Sequence, residues 1–134
     1  MLQVNGTSAD AGGVTPINPA ENLGRFSIKW RVRDSFFSYR AAMAVSLDKV
    51  ASGSDRVFFF RNCGSNNDTC PQASSTTVDC QITNEHILSC TGDDNQADLT
   101  TFFDVLPKNA YIIIETCMTS DTACFTKFHP VQFQ

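Results

Sequence analysis

The side chains in this sequence with the types and spacing for chemistry are six cysteines, two histidines and a short carboxylate-rich run. The cysteines are Cys63, Cys70, Cys80, Cys90, Cys117 and Cys124. None stands in Cys-x-x-Cys spacing, so neither a zinc ribbon nor a redox dithiol fits. An even set of cysteines in a chain this short reads instead as disulfides made in an oxidising compartment. The simplest arrangement joins neighbours: Cys63–Cys70, Cys80–Cys90 and Cys117–Cys124. Other pairings remain open to the sequence. Loops this short would each contribute about 2–3 kcal/mol, so the bridges act as local clips and a core must do the rest.

Catalysis needs a nucleophile or base that its surroundings activate. His86 reads as a turn residue and His129, before Pro130, as an exposed strand end. No Gly-x-Ser-x-Gly, His-Glu-x-x-His or phosphate-cradling glycine loop occurs. Glu115 and Asp104 have the chemistry of a glycosidase pair, but carboxylates on strands are ordinarily solvated. The expectation is a non-catalytic protein. For a metal, the run Asp93-Asp94-Asn95-Gln96-Ala97-Asp98 offers Asp93, Asn95 and Asp98 as oxygen ligands for calcium. Its spacing departs from the EF-hand loop, and a solvated polar turn is the competing interpretation. Calcium is the one cofactor suggested.

For recognition, Arg25, Lys29, Arg31 and Arg33 alternate along one segment, a basic stripe able to dock an acidic protein or an anionic glycan. The alternative is a solvated strand exterior that discourages edge pairing. Phe36, Phe37 and Phe59 are candidate aromatic anchors if exposed, and core caps if not. Asn5 (in Asn5-Gly6-Thr7) and Asn67 (in Asn67-Asp68-Thr69) are glycosylation acceptors in a eukaryotic host.

These residues need strands to position them. The chain has 134 residues, 42% hydrophobic and 18% charged, enough for one domain and too apolar for disorder. No apolar run approaches the ~18 residues of a membrane span. The net charge is −4, with +3 in residues 1–62 and −7 in residues 63–134, and no basic footprint with motif support for nucleic acid. Residues 1–13 turn polar at once, unlike a signal peptide, and read as a flexible lead-in. The chain then reads as a mature module cut from a longer secreted protein, with a complete small protein as the alternative.

Period-2 alternation dominates residues 14–134. Arg25–Arg33 places Phe26, Ile28, Trp30 and Val32 on one face. Tyr39–Leu47 alternates too, although its alanines also allow a helix. Arg56–Arg61 is β-prone, and its triple Phe58-Phe59-Phe60 must present a ring to each face. Val78–Ile82 and Ile87–Cys90 form a hairpin in which Cys80 opposite Cys90 sets Ile82 opposite Leu88. Leu99–Val105 and Ala110–Cys117 read as strands. In a terminal hairpin, Cys117 opposite Cys124 sets Ile113 opposite Phe128. The expected fold is an all-β antiparallel sandwich of about seven to nine strands.

Val105-Leu106-Pro107-Lys108-Asn109-Ala110-Tyr111 resembles the link before the sixth strand of fibronectin type III domains, with Phe102 at the preceding core position. Trp30 is similar to the family's strand-B tryptophan and Tyr39 to its strand-C tyrosine. The resemblance covers residues 14–47 and 99–134, and implies a fibronectin type III-like or more broadly immunoglobulin-like sandwich. It places Tyr111, Ile113 and Glu115 on the core face, where a glutamate needs a partner. Residues 48–98 exceed the family's usual crossing and read as an insertion carrying the disulfide-bonded hairpin. Fold does not confer function. The functional expectation is an extracellular or periplasmic binding or adhesion module acting through protein contacts. A carbohydrate- or small-ligand-binding sandwich, assisted by calcium, is the alternative, and a passive spacer of a surface protein is the third.

Overall fold

The computed structural model describes residues 2–8, 12–31, 39–63, 75–118 and 123–134. Its strands are β1 (Leu2–Val4), β2 (Thr7–Ser8), β3 (Thr15–Ile17), β4 (Arg25–Trp30), β5 (Tyr39–Ser46) and β6 (Arg56–Cys63). They continue as β7 (Thr76–Ile82), β8 (Ile87–Cys90), β9 (Gln96–Asp98), β10 (Lys108–Met118) and β11 (Cys124–Phe133). The first sheet has the order β2-β1-β4-β7-β8-β9, and the second β3-β11-β10-β5-β6. All pairings are antiparallel except β3 with β11. The all-β sandwich expected from alternation is what forms. It has more strands than expected because several are only two or three residues long.

The core lies between the sheets. Phe26, Ile28 and Trp30 of β4 are buried, as their alternation requires, and meet Tyr39, Ala41, Met43 and Val45 of β5 in one cluster. Tyr39–Ser46 is a strand, not a helix: two sheet neighbours satisfy its backbone, which outweighs alanine's helical preference. Trp30 and Phe59 pack edge to face, ring centres 5.9 Å apart. Both hairpin registers hold, with Cys80 opposite Cys90, Ile82 opposite Leu88 and Ile113 opposite Phe128. Cys80–Cys90 and Cys117–Cys124 are disulfides. Cys63 is also disulfide-bonded; its expected partner Cys70 lies outside the described residues.

Four segments differ from the sequence reading. Residues 2–8, expected as a flexible lead-in, form a hairpin that buries Leu2 and Val4 against β4. Its turn is Asn5-Gly6, both at positive φ, the two-residue connection whose twist matches its strands. Residues 99–105, expected as a strand, form a 3₁₀ turn over Thr100–Phe103. Leu99 and Phe102 are buried three apart, the period of that turn, and Asp98 accepts hydrogen bonds from the Thr100 amide and hydroxyl at its start. Along β10 the core face is Ala110, Ile112 and Ile114. Tyr111 and Glu115 therefore face outward, which removes the difficulty of a core glutamate. Finally, residues 48–98 supply β6 to the second sheet and β7, β8 and β9 to the first. β7 pairs along all six residues of β4, so the disulfide-bonded hairpin is knit into the sandwich.

Candidate functional site

The outer faces of the two sheets differ in chemistry. On the second sheet, one transverse row runs Val57, Ala44, Ile113, Phe128, all paired side by side and all apolar. Ile113 is only 2% exposed although it points away from the core. Phe128 and Val57 remain 39% and 45% exposed, and Phe60, one row along β6, is 42% exposed. Tyr111 meets Phe128 edge to face at 5.7 Å. The Lys49 ammonium stands 5.0 Å from the Phe128 ring centre and 5.8 Å from that of Tyr111, a cation–π arrangement that holds a positive charge at the patch border.

The outer face of the first sheet is polar. Arg25 and Lys29 of β4 are exposed there, as the basic stripe predicted, and Arg31 is exposed just past the strand end. Because β4 is flanked by β1 and β7, the stripe crosses the middle of a sheet and has no edge to protect. Asp79 of β7 stands opposite Ser27, between the two basic positions. A depression of about 710 Å³ lies on this face, bounded by Asn22, Arg25, Ser27, Asp79, Ser89 and Thr91.

A smaller cavity of about 270 Å³ lies beside Trp30, Phe59, Arg61, Val78 and Gly92. Arg61 is already engaged there: it donates to the Gly92 carbonyl at 2.8 Å, approaches the Asp93 carboxylate at 3.7 Å and lies over the Phe59 ring. The buried Trp30 Nε1 has no hydrogen-bond partner.

Other anticipated site residues take structural positions. Phe59, expected exposed on an edge strand, is 2% exposed even though β6 is an edge. The cause is a bulge: Met43 pairs with Phe59 and Ala44 with Val57, so Phe58 is an extra residue and both rings turn inward. Phe60 is the ring left outside. Asp93 and Asp98 are each engaged by hydrogen bonds within the chain. One Asp93 oxygen accepts from the Asn95 amide and side chain, each at 2.8 Å, and the other accepts from the Phe60 amide at 3.2 Å. Asp98 is turned to Thr100, whose hydrogen bonds hold its carboxyl below the usual carboxylate range. Asn5 Oδ1 accepts the Ser27 amide at 2.9 Å while the Asn5 amide donates to Ser27, fastening the first hairpin to β4. Arg33, Phe36, Phe37 and Asn67 lie outside the described residues.

His129, expected exposed, is fully buried between the sheets. Its Nε2 lies 2.8 Å from Thr15 Oγ1, which donates its own proton to the Val4 carbonyl; this assigns the imidazole proton to Nε2 and leaves Nδ1 unpartnered. Burial pushes its pKa below the ordinary histidine value. The pair resembles a nucleophile beside a base, but the hydroxyl proton points to a carbonyl, away from the imidazole. His86 stacks on Phe103, 4.4 Å apart and nearly parallel. Glu115 and Asp104 sit apart in role: Asp104 pairs with Lys108, which lowers its pKa, and Glu115 lies beside the Cys117 sulfur at 3.8 Å. Among the described residues, Glu115, Cys117 and Cys124 form the one cluster with metal-ligand spacing, and its two sulfurs are bonded to each other.

The apolar outer face escaped sequence reasoning, although a signal was present. Ile112-Ile113-Ile114, like the phenylalanine triplet, must send one side chain outward, and the Ile113–Phe128 register was readable. No protein-family model, curated protein sequence or solved structure matches this chain.

Proposed function

We propose that this protein is a non-catalytic binding or adhesion module that docks a protein partner on the outer face of its second sheet. The observation that carries the reading is the apolar row Val57, Ala44, Ile113 and Phe128, bordered by Phe60, Tyr111 and Lys49. An exterior sheet face in water is ordinarily polar, as on the opposite side of this sandwich, and exposed apolar side chains grouped on one face, here Val57, Phe60 and Phe128, mark an interaction surface. The exposed rings of Phe128, at one end of the row, and Phe60, beside it on β6, suit the anchor residues of protein interfaces. Lys49 suits a partner whose matching surface is apolar with a carboxylate at its border. The disulfides fit an oxidising environment, and among the described residues no helix is long and apolar enough to cross a membrane. Extracellular or periplasmic display agrees with the disulfides.

The test places a photo-crosslinking residue at Phe60 and, as a control, at Asn84 on the far hairpin turn. In the source cells, Phe60 should give one discrete adduct, competed by excess unlabelled protein but not by the Val57→Ser, Phe128→Ser double variant. Equal adducts from Asn84, or competition by the double variant, overturns the reading. Sedimentation of the purified chain then shows whether the partner is a second copy.

A further inference from the structure

The opposite face carries a second, independent inference. The depression of about 710 Å³ on the first sheet falls within the size range of ligand sites. Its walls are fastened before any ligand arrives. On one side the Asn5–Gly6 turn is tied to β4 by two hydrogen bonds of 2.9 Å with Ser27. At one end the 3₁₀ turn over Asn22–Gly24 is held by Gln81, whose side chain donates to the Leu23 carbonyl at 2.8 Å. Gly24 fits there because it has no side chain: a Cβ would stand 2.0 Å from the Ile82 carbonyl oxygen. On the far side the Thr91 amide donates to the Asp79 carbonyl at 2.9 Å.

The chemistry inside is mixed and balanced. Arg25 supplies a fork of donors, Asp79 supplies acceptors, and Ser27, Ser89 and Thr91 supply hydroxyls that do both. Arg25 and Asp79 occupy the same depression, diagonal across the β4–β7 register, yet they do not form an ion pair. Both line the depression with no ion pair between them to use up their hydrogen-bonding capacity. Phe26, Cys80 and Cys90 at the floor are buried and offer no apolar platform. An anionic ligand would meet Asp79, a cationic one Arg25, and an apolar one would strand both. A neutral polyhydroxylated ligand meets neither obstacle, since every hydroxyl donates and accepts.

We propose that this depression binds a neutral oligosaccharide, with Asp79 and Arg25 as the principal hydrogen-bonding residues and Ser27, Ser89 and Thr91 around them. The test is a glycan array of neutral gluco-, manno- and galacto-oligosaccharides together with sulfated heparin fragments, followed by calorimetry with the strongest neutral binder. The expected result is binding to a neutral saccharide that Asp79→Asn and Arg25→Gln each weaken at least tenfold. Glu85→Gln, in the β7–β8 turn and outside the depression's lining, should leave affinity within twofold. All variants must melt within a few degrees of the parent, so that lost binding reports the groove. Failure of the folded protein to bind any neutral glycan overturns the proposal. So does binding confined to heparin fragments, which would assign the face to the basic stripe. Because the depression and the apolar row lie on opposite faces, failure here leaves the protein-docking reading standing, and the reverse.

Discussion

His129 shows how far a single residue's environment can depart from its local sequence. The dipeptide His129-Pro130 looked like an exposed strand end, but β11 continues to Phe133 and alternation carries His129 inward beside Val131 and Phe133. Proline is tolerated there because β11 holds β10 on one side and only the three-residue β3 on the other, and a proline lacks one donor. The buried imidazole is neutral, with its Nε2 proton given to Thr15 and Nδ1 unpaired. Charging it would place a proton on an atom with no acceptor, in an environment that has already lowered its pKa by desolvation. The unfolded chain, with an ordinary histidine pKa of about 6.5, then binds more protons than the native state as pH falls. The sign follows: stability present above the unfolded pKa is lost as pH drops through it toward the lower native value. Asp98 and Asp104, also depressed, lose their contributions only in the more acidic carboxylate range. The expected outcome is a melting temperature that falls between pH 7 and 5.5, with His129→Gln flattening that part of the curve. An unchanged slope in the variant would assign the effect elsewhere.

Among elements, β6 carries the greatest exposure to misassembly. It is the long edge of the second sheet, eight residues with a triple phenylalanine at its centre. A bare edge of this composition invites pairing with another chain. Three features blunt it: the bulge that turns Phe58 and Phe59 inward, the flanking Arg56 and Arg61, and Asp93, whose carboxylate takes the Phe60 amide and faces Arg61. Asp93 thus serves the edge. Asp93→Ala should cost about 1–3 kcal/mol by stranding that amide and loosening Arg61. It should also raise aggregation on mild heating, measured by light scattering below the melting temperature. Unchanged scattering would show that the bulge alone protects the edge. The strands themselves were legible in the sequence wherever alternation was strict, as in β4, and wherever a disulfide and a register agreed, as in β7–β8 and β10–β11. Legibility failed where the decisive information was non-local. The Asn5-Gly6 turn signal was present, but Leu2–Val4 is too short to declare itself without β4 beside it. In Leu99–Val105 a three-residue period was mistaken for alternation. The site residues were least legible, because which ring of Phe58-Phe59-Phe60 faces water depends on a bulge, and bulges leave little trace in one strand's sequence.

At the scale of the molecule, the question is what holds together a sandwich that carries an apolar row on one outer face and a groove on the other. Both described disulfides join residues that the sheet already pairs, Cys80 with Cys90 and Cys117 with Cys124, with sequence separations of 10 and 7. Short loops remove little entropy from the unfolded chain, about 2–3 kcal/mol apiece. The core is continuous without them: Trp30, Phe59, Met43, Ile112, Leu88 and Phe133 belong to one buried cluster drawn from both sheets. A domain of this length has a net stability of roughly 7–20 kcal/mol, so the loss of one clip leaves a folded majority. The Cys80→Ala, Cys90→Ala double variant is therefore expected to keep its far-ultraviolet and near-ultraviolet circular dichroism and to melt about 10 °C lower. The near-ultraviolet signal is the sharper readout, since Trp30 is the chain's single tryptophan and reports the packing between sheets. Loss of that signal at room temperature would mean that the bridge, and not the core, sets the register of β7 on β4. That outcome would also undo the groove, whose floor and walls depend on the same strand pair.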